Sequence, residues 1–198
     1  MNKTLRYYNN TAKDFIDATL NTNMSDVYQF FLKYIPENAS ILDLGCGSGR
    51  DSKLFIEKGY SVCAMDGSME CCKLASEIIG QEVVCKTFEK LDYSHEFDGI
   101  WACASLLHVP FDDMPGIFEK VSQALKPGGY LFASFKYGRF EGERNGRYFT
   151  DLNEKSMMTL VNLLKELQLI ETLVANDARV GREGKKWLDV ILKRPQSC

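Results

Sequence analysis

The hydrophobic positions of this chain change period several times, and each change marks an element. Near the start, Tyr8, Ala12, Phe15 and Ile16 recur at helical spacing within residues 7–17, which predicts an amphipathic helix packed by that stripe. Ser25 stands as an N-cap before a second helical run through Ile35, with Val27, Phe31, Tyr34 and Ile35 on one side and Pro36 at its end. The pattern then tightens. Ile41-Leu42-Asp43-Leu44 is an apolar run of strand length that enters Gly45-Cys46-Gly47-Ser48-Gly49, a turn whose glycines let the backbone bend and approach a ligand. Residues 50–58 return to helical spacing, with Leu54, Phe55 and Lys58 on one face, and Gly59 stops them.

The same alternation continues downstream. A strand over 60–65 ends at Asp66-Gly67-Ser68, and a helix over 68–79 is expected to turn Met69, Cys72, Ala75, Ile78 and Ile79 toward the sheet before Gly80 closes it. Strands are predicted at 82–85, 97–103 and 130–135, with a helix over 112–125 and the turn Lys126-Pro127-Gly128-Gly129 between the last two. Residues 136–150 carry Gly138, Gly142 and Gly146 among Lys136, Arg139, Arg144 and Arg147, a polarity that predicts a mobile surface loop. A long helix over 153–167, with Met157, Leu160, Val161 and Leu164 inward, leads to two closing strands at 168–174 and 187–192 joined by the charged segment 176–186. Strand and helix alternate through most of the chain, the order of an α/β protein.

Composition narrows the class without changing that outline. At 198 residues, with 45% hydrophobic, 26% charged and 12% aromatic residues, the chain is expected to form one globular domain. No apolar run approaches a bilayer span and Met1 to Arg6 leads into polar residues, so a cytoplasmic protein is expected. Seven cysteines, an odd number without CxxC spacing, fit free thiols, and Cys63, Cys85 and Cys103 are expected in or beside strands as small buried hydrophobes. No metal is expected. A net charge of −3 provides no general field for nucleic acid.

Two chemistries compete for the glycine turn, and they differ at one residue. A dinucleotide site needs G-x-G-x-x-G, its third glycine allowing close helix–strand packing; here that position is Arg50, which argues against NAD. Asp43 to Gly49 instead reads D-x-G-x-G-x-G. That form, followed by Asp66-Gly67-Ser68 at the next strand end, by Phe97-Asp98 running to Leu107-His108-Val109-Pro110, and by Lys126-Pro127-Gly128-Gly129-Tyr130-Leu131, resembles the class I S-adenosylmethionine-dependent methyltransferases. Within that class the chain is similar to small bacterial methyltransferases of the type 11 or tellurite-resistance-like kind, a label that says little about substrate.

The resemblance implies a Rossmann-like, seven-stranded, mostly parallel sheet with helices on both faces and an antiparallel final strand. It divides the chain into a helical lid segment (1–36), a cofactor-binding core (37–135) and a substrate-side part (136–198). The implied cofactor residues are Asp43, Gly45, Cys46, Gly47, Gly49, Arg50, Asp66, Gly67, Ser68, Met69, Thr87, Phe88, Ala102, Cys103 and Leu107. Asp66 is placed to accept hydrogen bonds from two ribose hydroxyls, and Thr87 stands where family members often carry an acid for the adenine amino group. Arg50 either meets the cofactor carboxylate or pairs with an acid.

His108 is the candidate general base, with a pocket-wall role as the alternative. Tyr7, Tyr8, Lys136, Tyr137, Arg147 and Tyr148 are the candidate acceptor-binding residues; Lys136 or Arg147 would hold an anionic group, and a charged surface face is the other reading. Base-methylating enzymes of the adenine-amino type carry an Asn/Asp-Pro-Pro-aromatic run where this chain has Ala102-Cys103-Ala104-Ser105, and Cys103 follows alanine where cytosine-C5 enzymes place proline before their nucleophile. A small-molecule methyltransferase is therefore expected. A protein or RNA methyltransferase and a non-catalytic S-adenosylmethionine-binding protein stand as alternatives.

Overall fold

A computed structural model of the chain describes residues 3–179 and 181–196; Met1, Asn2, Val180, Ser197 and the seventh cysteine, Cys198, lie outside the described residues. Nine strands and six α-helices are present among the described residues. In chain order they are α1 (Lys3–Thr19), α2 (Ser25–Leu32), β1 (Ser40–Leu44), α3 (Arg50–Glu57), β2 (Ser61–Asp66), α4 (Met69–Ile79), β3 (Val84–Cys85), β4 (Phe97–Ala102), α5 (Met114–Ala124), β5 (Leu125–Lys136), β6 (Glu141–Arg144), β7 (Arg147–Thr150), α6 (Glu154–Val161), β8 (Gln168–Asn176) and β9 (Lys186–Lys193).

Seven strands form one sheet in the order β3-β2-β1-β4-β5-β9-β8. β1 to β5 are parallel, and β9, the last strand in sequence, runs antiparallel between β5 and β8. The chain winds one way through β1, β2 and β3, then crosses back to lay β4 on the other side of β1. The carboxyl ends of β1 and β4 therefore flank a switch point, where open α/β sheets leave a crevice.

Alternation along the central strands divides the core between the two sheet faces. Ile41, Trp101, Phe132 and Ile191 pack with Phe31 of α2 and Phe55 of α3, while Leu42, Ile100, Leu131, Ala133 and Val190 pack with Ile117, Phe118 and Val121 of α5 and Met157 and Leu160 of α6. Trp101 and Phe132 stack at 4.1 Å, and the buried carboxylate of Asp51 accepts from the Trp101 indole (2.9 Å) and the Tyr28 hydroxyl (2.5 Å), tying α2, α3 and β4 together. Gly99 lets α2 close on β4: a Cβ there would stand 2.8 Å from both Phe31 and Ile35.

Several elements differ from the sequence expectation. Residues 136–150 are not a loop: β6 and β7 pair as a hairpin with Phe149 and Thr150 buried. Its turn is Asn145-Gly146, both at positive φ (53° and 77°), the pair that suits a two-residue hairpin turn. α6 ends at Val161 rather than reaching 167, and Glu166 beyond it turns to Arg194 (3.6 Å) and Ser122 (3.2 Å). Ser25 does not cap α2; it is the first helical residue, and its N–H and hydroxyl both go to Asn23 Oδ1 (3.0 and 2.6 Å). In α4, Met69 points outward at 67% exposure and Cys71 takes an inward position. Cys85 is exposed because β3 is a two-residue edge strand. α1 is broken at Thr11 (φ −123°, ψ 16°), which lets its two halves follow different surfaces.

Candidate active site

The site is built on the switch point. Beyond Leu44 the backbone turns left-handed at Gly45 (φ +84°) and Gly47 (φ +55°), a conformation that side chains disfavour. The N–H groups of Gly45 and Cys46 both bond to the Met65 carbonyl (2.8 and 3.0 Å), which hangs the turn on the end of β2. Space also requires the glycine. A Cβ on Gly45 would lie 2.4 Å from Ser105 Cβ, because Ser105 Oγ reaches across from the end of β4 to donate to the Leu44 carbonyl (2.5 Å).

Asp66 closes the β2 side of the turn. Its Oδ2 accepts from the Gly47 N–H (2.9 Å) and its Oδ1 from the Ser68 N–H (2.8 Å), so each oxygen retains acceptor capacity. Burial raises its pKa, and those N–H groups oppose the rise. Beneath the turn, Asp43 accepts from Ser52 Oγ (2.6 Å); burial, with the nearby Asp51 adding to it, pushes the Asp43 carboxyl up.

Above the turn, the carboxyl ends of β4 and β5 and the amino end of the antiparallel β9 lies a cavity of about 650 Å³. Its wall includes Gly45, Cys46, Gly47, Arg50, Asp66, Gly67, Thr87, Phe88, Cys103, Leu107, His108, Tyr8, Lys136 and Arg147 from the sequence reading. The other candidates lie off this wall. Asp43 is under the turn, Gly49 packs on Ile79 and Ala75 of α4, and Ala102 is fully buried in the sheet. Ser68 caps α4 and donates to Asn9, while Met69 faces outward. Tyr7 packs edge-on against Tyr8, and Tyr137 and Tyr148 send their hydroxyls to Glu154 (2.8 Å) and Glu141 (2.9 Å).

α1 covers this cavity from the side of the glycine turn. Phe15 rests on Gly47, where a Cβ would stand 3.0 Å from its ring, and Leu5 rests in the same way on Gly67 (2.8 Å). Arg50 lies on the wall and directs its fork to Asp51, Nε to Oδ1 at 2.6 Å and Nη2 to Oδ2 at 2.9 Å. Burial works against the Arg50 charge, but Asp51 outweighs it and raises the pKa further.

The hairpin adds a polar relay. His108 Nδ1 lies 2.6 Å from the Tyr148 carbonyl, which can only accept, so Nδ1 carries the hydrogen. Nε2 then accepts from the Tyr8 hydroxyl (3.0 Å), whose oxygen accepts from Arg147 Nη1 (3.3 Å). Burial pushes the His108 imidazole down to about 4, so it is neutral near pH 7 and its lone pair is covered by Tyr8. Arg147 is held by rings, 4.5 Å from Tyr7 and 5.1 Å from Phe149, and forms no ion pair among the described residues. Lys136 likewise lies 4.5 Å over Phe149; burial, then Arg144 nearby, pushes its ammonium down to about 8.

Sequence reasoning missed part of the wall: Phe15, Ser105, Ser134, Asp177, Arg179, Trp187 and Asp189. Most of these carry no local signal. Asp189 does, because a lone acid inside the apolar run Trp187-Leu188-Asp189-Val190-Ile191-Leu192 is out of place in a strand covered on both faces.

The family described as "Methyltransferase domain" matches residues 16–180. The chain belongs to the class I S-adenosylmethionine-dependent methyltransferase family. It is 35% identical over 106 residues to a ubiquinone biosynthesis O-methyltransferase of Xanthomonas axonopodis pv. citri, covering 50% of this chain and 44% of that one. It is 27% identical over 144 residues to a malonyl-[acyl-carrier protein] O-methyltransferase of Priestia megaterium, covering 68% and 52%. The chain thus spans about half the length of these curated relatives. Among solved structures, the Burkholderia thailandensis 1,6-didemethyltoxoflavin-N1-methyltransferase, bound to 1,6-didemethyltoxoflavin and S-adenosylhomocysteine, shares the fold at a TM-score of 0.76 and 20% identity, covering 97% of this chain and 85% of that one. As a methyltransferase-family chain, it has its glycine turn and Asp66 where the Rossmann-like sheet opens, at the β1/β4 switch point.

Proposed function

We propose that this chain is an S-adenosylmethionine-dependent methyltransferase that transfers a methyl group in line to a small-molecule acceptor. The observation that carries the reading is Asp66: a carboxylate at the end of β2, on the cavity wall, pinned to the glycine turn by the Gly47 N–H yet retaining lone pairs for a vicinal diol. The residues fit such a cofactor. The turn presents backbone without Cβ atoms, and about 650 Å³ is within the range of small-molecule sites.

Gly45, Cys46, Gly47 and Gly67 would hold the cofactor by backbone, Asp66 its ribose, and Thr87 with Phe88 its adenine, Thr87 being a weaker acceptor than the acid common at that position. Asp43, Gly49, Ser68, Met69 and Ala102 would act from behind, by fixing the turn, the cap of α4 and the strand end. The cofactor, when bound, supplies an activated methyl group on a sulfonium. The chain's own work is then alignment and exclusion of water, and α1, through Leu5, Tyr8 and Phe15, serves as the cover.

Neutral His108, with its Nε2 lone pair engaged by Tyr8, orients the acceptor side through the Tyr8 hydroxyl. Removal of an acceptor proton by His108 would pass through that hydroxyl or follow its displacement. Arg147 and Lys136, cations with no carboxylate partner among the described residues, would receive an anionic group on the acceptor, with Tyr7 and Tyr148 supporting the hairpin that carries Arg147 and Tyr137 tying the end of β5, beside Lys136, to Glu154. Calorimetric titration with S-adenosylmethionine and with NAD tests the reading: binding of the first, lowered roughly 10- to 100-fold by Asp66→Ala, is expected from the loss of charged hydrogen bonds. NAD binding without S-adenosylmethionine binding overturns it.

A further inference from the structure

Asp189 is the anomaly of the cavity. It is 3% exposed, lies on β9 between Ser134 of β5 and Leu173 of β8, and lines the cavity together with Cys103, Ser134 and Trp187. Its carboxylate has no hydrogen bond or ion pair to any described residue. None of the cations on the same wall pairs with it: Arg50 goes to Asp51, Arg179 to Asp177 (2.8 and 2.6 Å) and Lys120 to the Leu91 carbonyl (3.4 Å), Lys136 lies over Phe149 and Arg147 over Tyr7, and Arg182 forms no ion pair among the described residues. The neighbouring hydroxyl is also committed, since Ser134 Oγ accepts from the Ala104 N–H (2.6 Å) and turns its hydrogen toward Cys103. A buried carboxylate left unpaired is costly, and buried polar groups in native proteins are almost always bonded.

The sheet order says which ligand it can meet. From β1, which carries the glycine turn, to β9 is three strand steps, about 14 Å at the usual spacing. Asp189 thus stands at the far end of the cavity from Asp66, beyond β4 and on the acceptor side. Burial alone pushes its carboxyl up to about 7, in keeping with a group that lacks a donor until a ligand arrives.

We infer that Asp189 is the recognition group for the acceptor, receiving a hydrogen bond from an N–H or O–H of an amine- or hydroxyl-bearing small molecule seated against Trp187. The inference rests on the methyltransferase reading of the cavity. It also gives the acceptor site two polarities, a donor-seeking carboxylate on β9 and an anion-seeking pair, Lys136 and Arg147, toward the hairpin.

The test uses the full chain saturated with S-adenosylhomocysteine and three probes that share a ring, benzylamine, benzyl alcohol and benzoate, titrated by ligand-observed NMR against wild type, Asp189→Asn and Asp189→Ala. Benzylamine, and to a smaller degree benzyl alcohol, should lose affinity at least about tenfold in Asp189→Ala, with benzoate unchanged or tighter. A larger loss for the amine in Asp189→Asn identifies a cationic donor; equal small losses identify a hydroxyl. S-adenosylhomocysteine affinity should stay within about twofold in both variants, since Asp189 is remote from Asp66. If S-adenosylhomocysteine binds all three proteins while no probe distinguishes residue 189, including the case where none binds, the assignment is overturned and the methyltransferase reading stands. If S-adenosylhomocysteine binds none of them, both fall. Melting of the ligand-free proteins at pH 8 is the second readout: Asp189→Asn should melt at or above wild type if the carboxylate serves a ligand, and a clear fall would assign it a purely structural role and refute the proposal.

Discussion

Gly45→Ala tests the geometry on which the site depends, because the structure supplies both the cost and its control. At Gly45 the new methyl meets two penalties: a backbone at φ +84° and a carbon 2.4 Å from Ser105 Cβ. Gly80, at the end of α4, has nearly the same backbone (φ +71°) and no atom within 4 Å of the added carbon. Gly80→Ala should therefore cost only the left-handed conformation, roughly 1–2 kcal/mol, partly offset by a stiffer unfolded chain. Gly45→Ala adds overpacking against a residue whose hydroxyl is bonded to the Leu44 carbonyl, about 1–3 kcal/mol more. That difference corresponds to roughly 2–4 °C in Tm per kcal/mol for a chain of this size. Urea unfolding of both variants measures it, and calorimetry should show weaker S-adenosylhomocysteine binding for Gly45→Ala alone. Ser105→Gly in the Gly45→Ala background removes the opposing carbon and should recover part of the loss, a coupling of about 0.5–3 kcal/mol. If the two single variants agree within about 0.5 kcal/mol, the close approach of β1 and β4 does not hold the turn and the reasoning fails.

Arg147→Ala should weaken benzoate binding in the cavity by about tenfold while leaving S-adenosylhomocysteine affinity intact, and equal loss of both would show that Arg147 only holds α1 in place. Asp189 also predicts a pH slope. The folded carboxyl keeps its proton to about pH 7 whereas an unfolded one releases it near 3.8, so the folded state binds more protons in between and stability falls as pH rises from 4 to 7. Urea unfolding at pH 5 and pH 8 should show a steeper loss for wild type than for Asp189→Asn, on the order of a few kcal/mol at most, and parallel slopes would contradict the unpaired carboxylate. Tyr8→Phe removes the donor that favours the neutral form of His108, so the imidazole, pushed down to about 4 chiefly by burial, should titrate higher; an NMR midpoint equal to or below that of wild type would mean that Nε2 does not take the Tyr8 hydrogen.

What the sequence determined by itself were the features written in local pattern. The strand before Gly45, the glycine turn, the acid at Asp66 and the strand and helix alternation through residue 135 are short-range signals, fixed by periodicity and by backbone conformations that only certain residues accept. They predicted the sheet, and Arg50 at the third glycine position separated the turn from a dinucleotide site. Even the hairpin was legible in principle, since Asn145-Gly146 marks its turn; the polarity of the surrounding residues masked that signal. Tertiary structure alone decided the rest. Whether Arg50 pairs with a ligand or with Asp51, whether the lone pair of His108 is free, and which of Tyr7, Tyr8, Tyr137 and Tyr148 reach the cavity all depend on contacts between residues far apart in the chain, such as Tyr8 with His108 and Arg147. Asp189 shows the distinction most clearly. Its presence in an apolar strand can be read from the sequence, but that its carboxylate is buried and unpaired follows only from the strand order that sets β9 beside β5 and from Arg50, Lys136, Arg147 and Arg179 having found other partners.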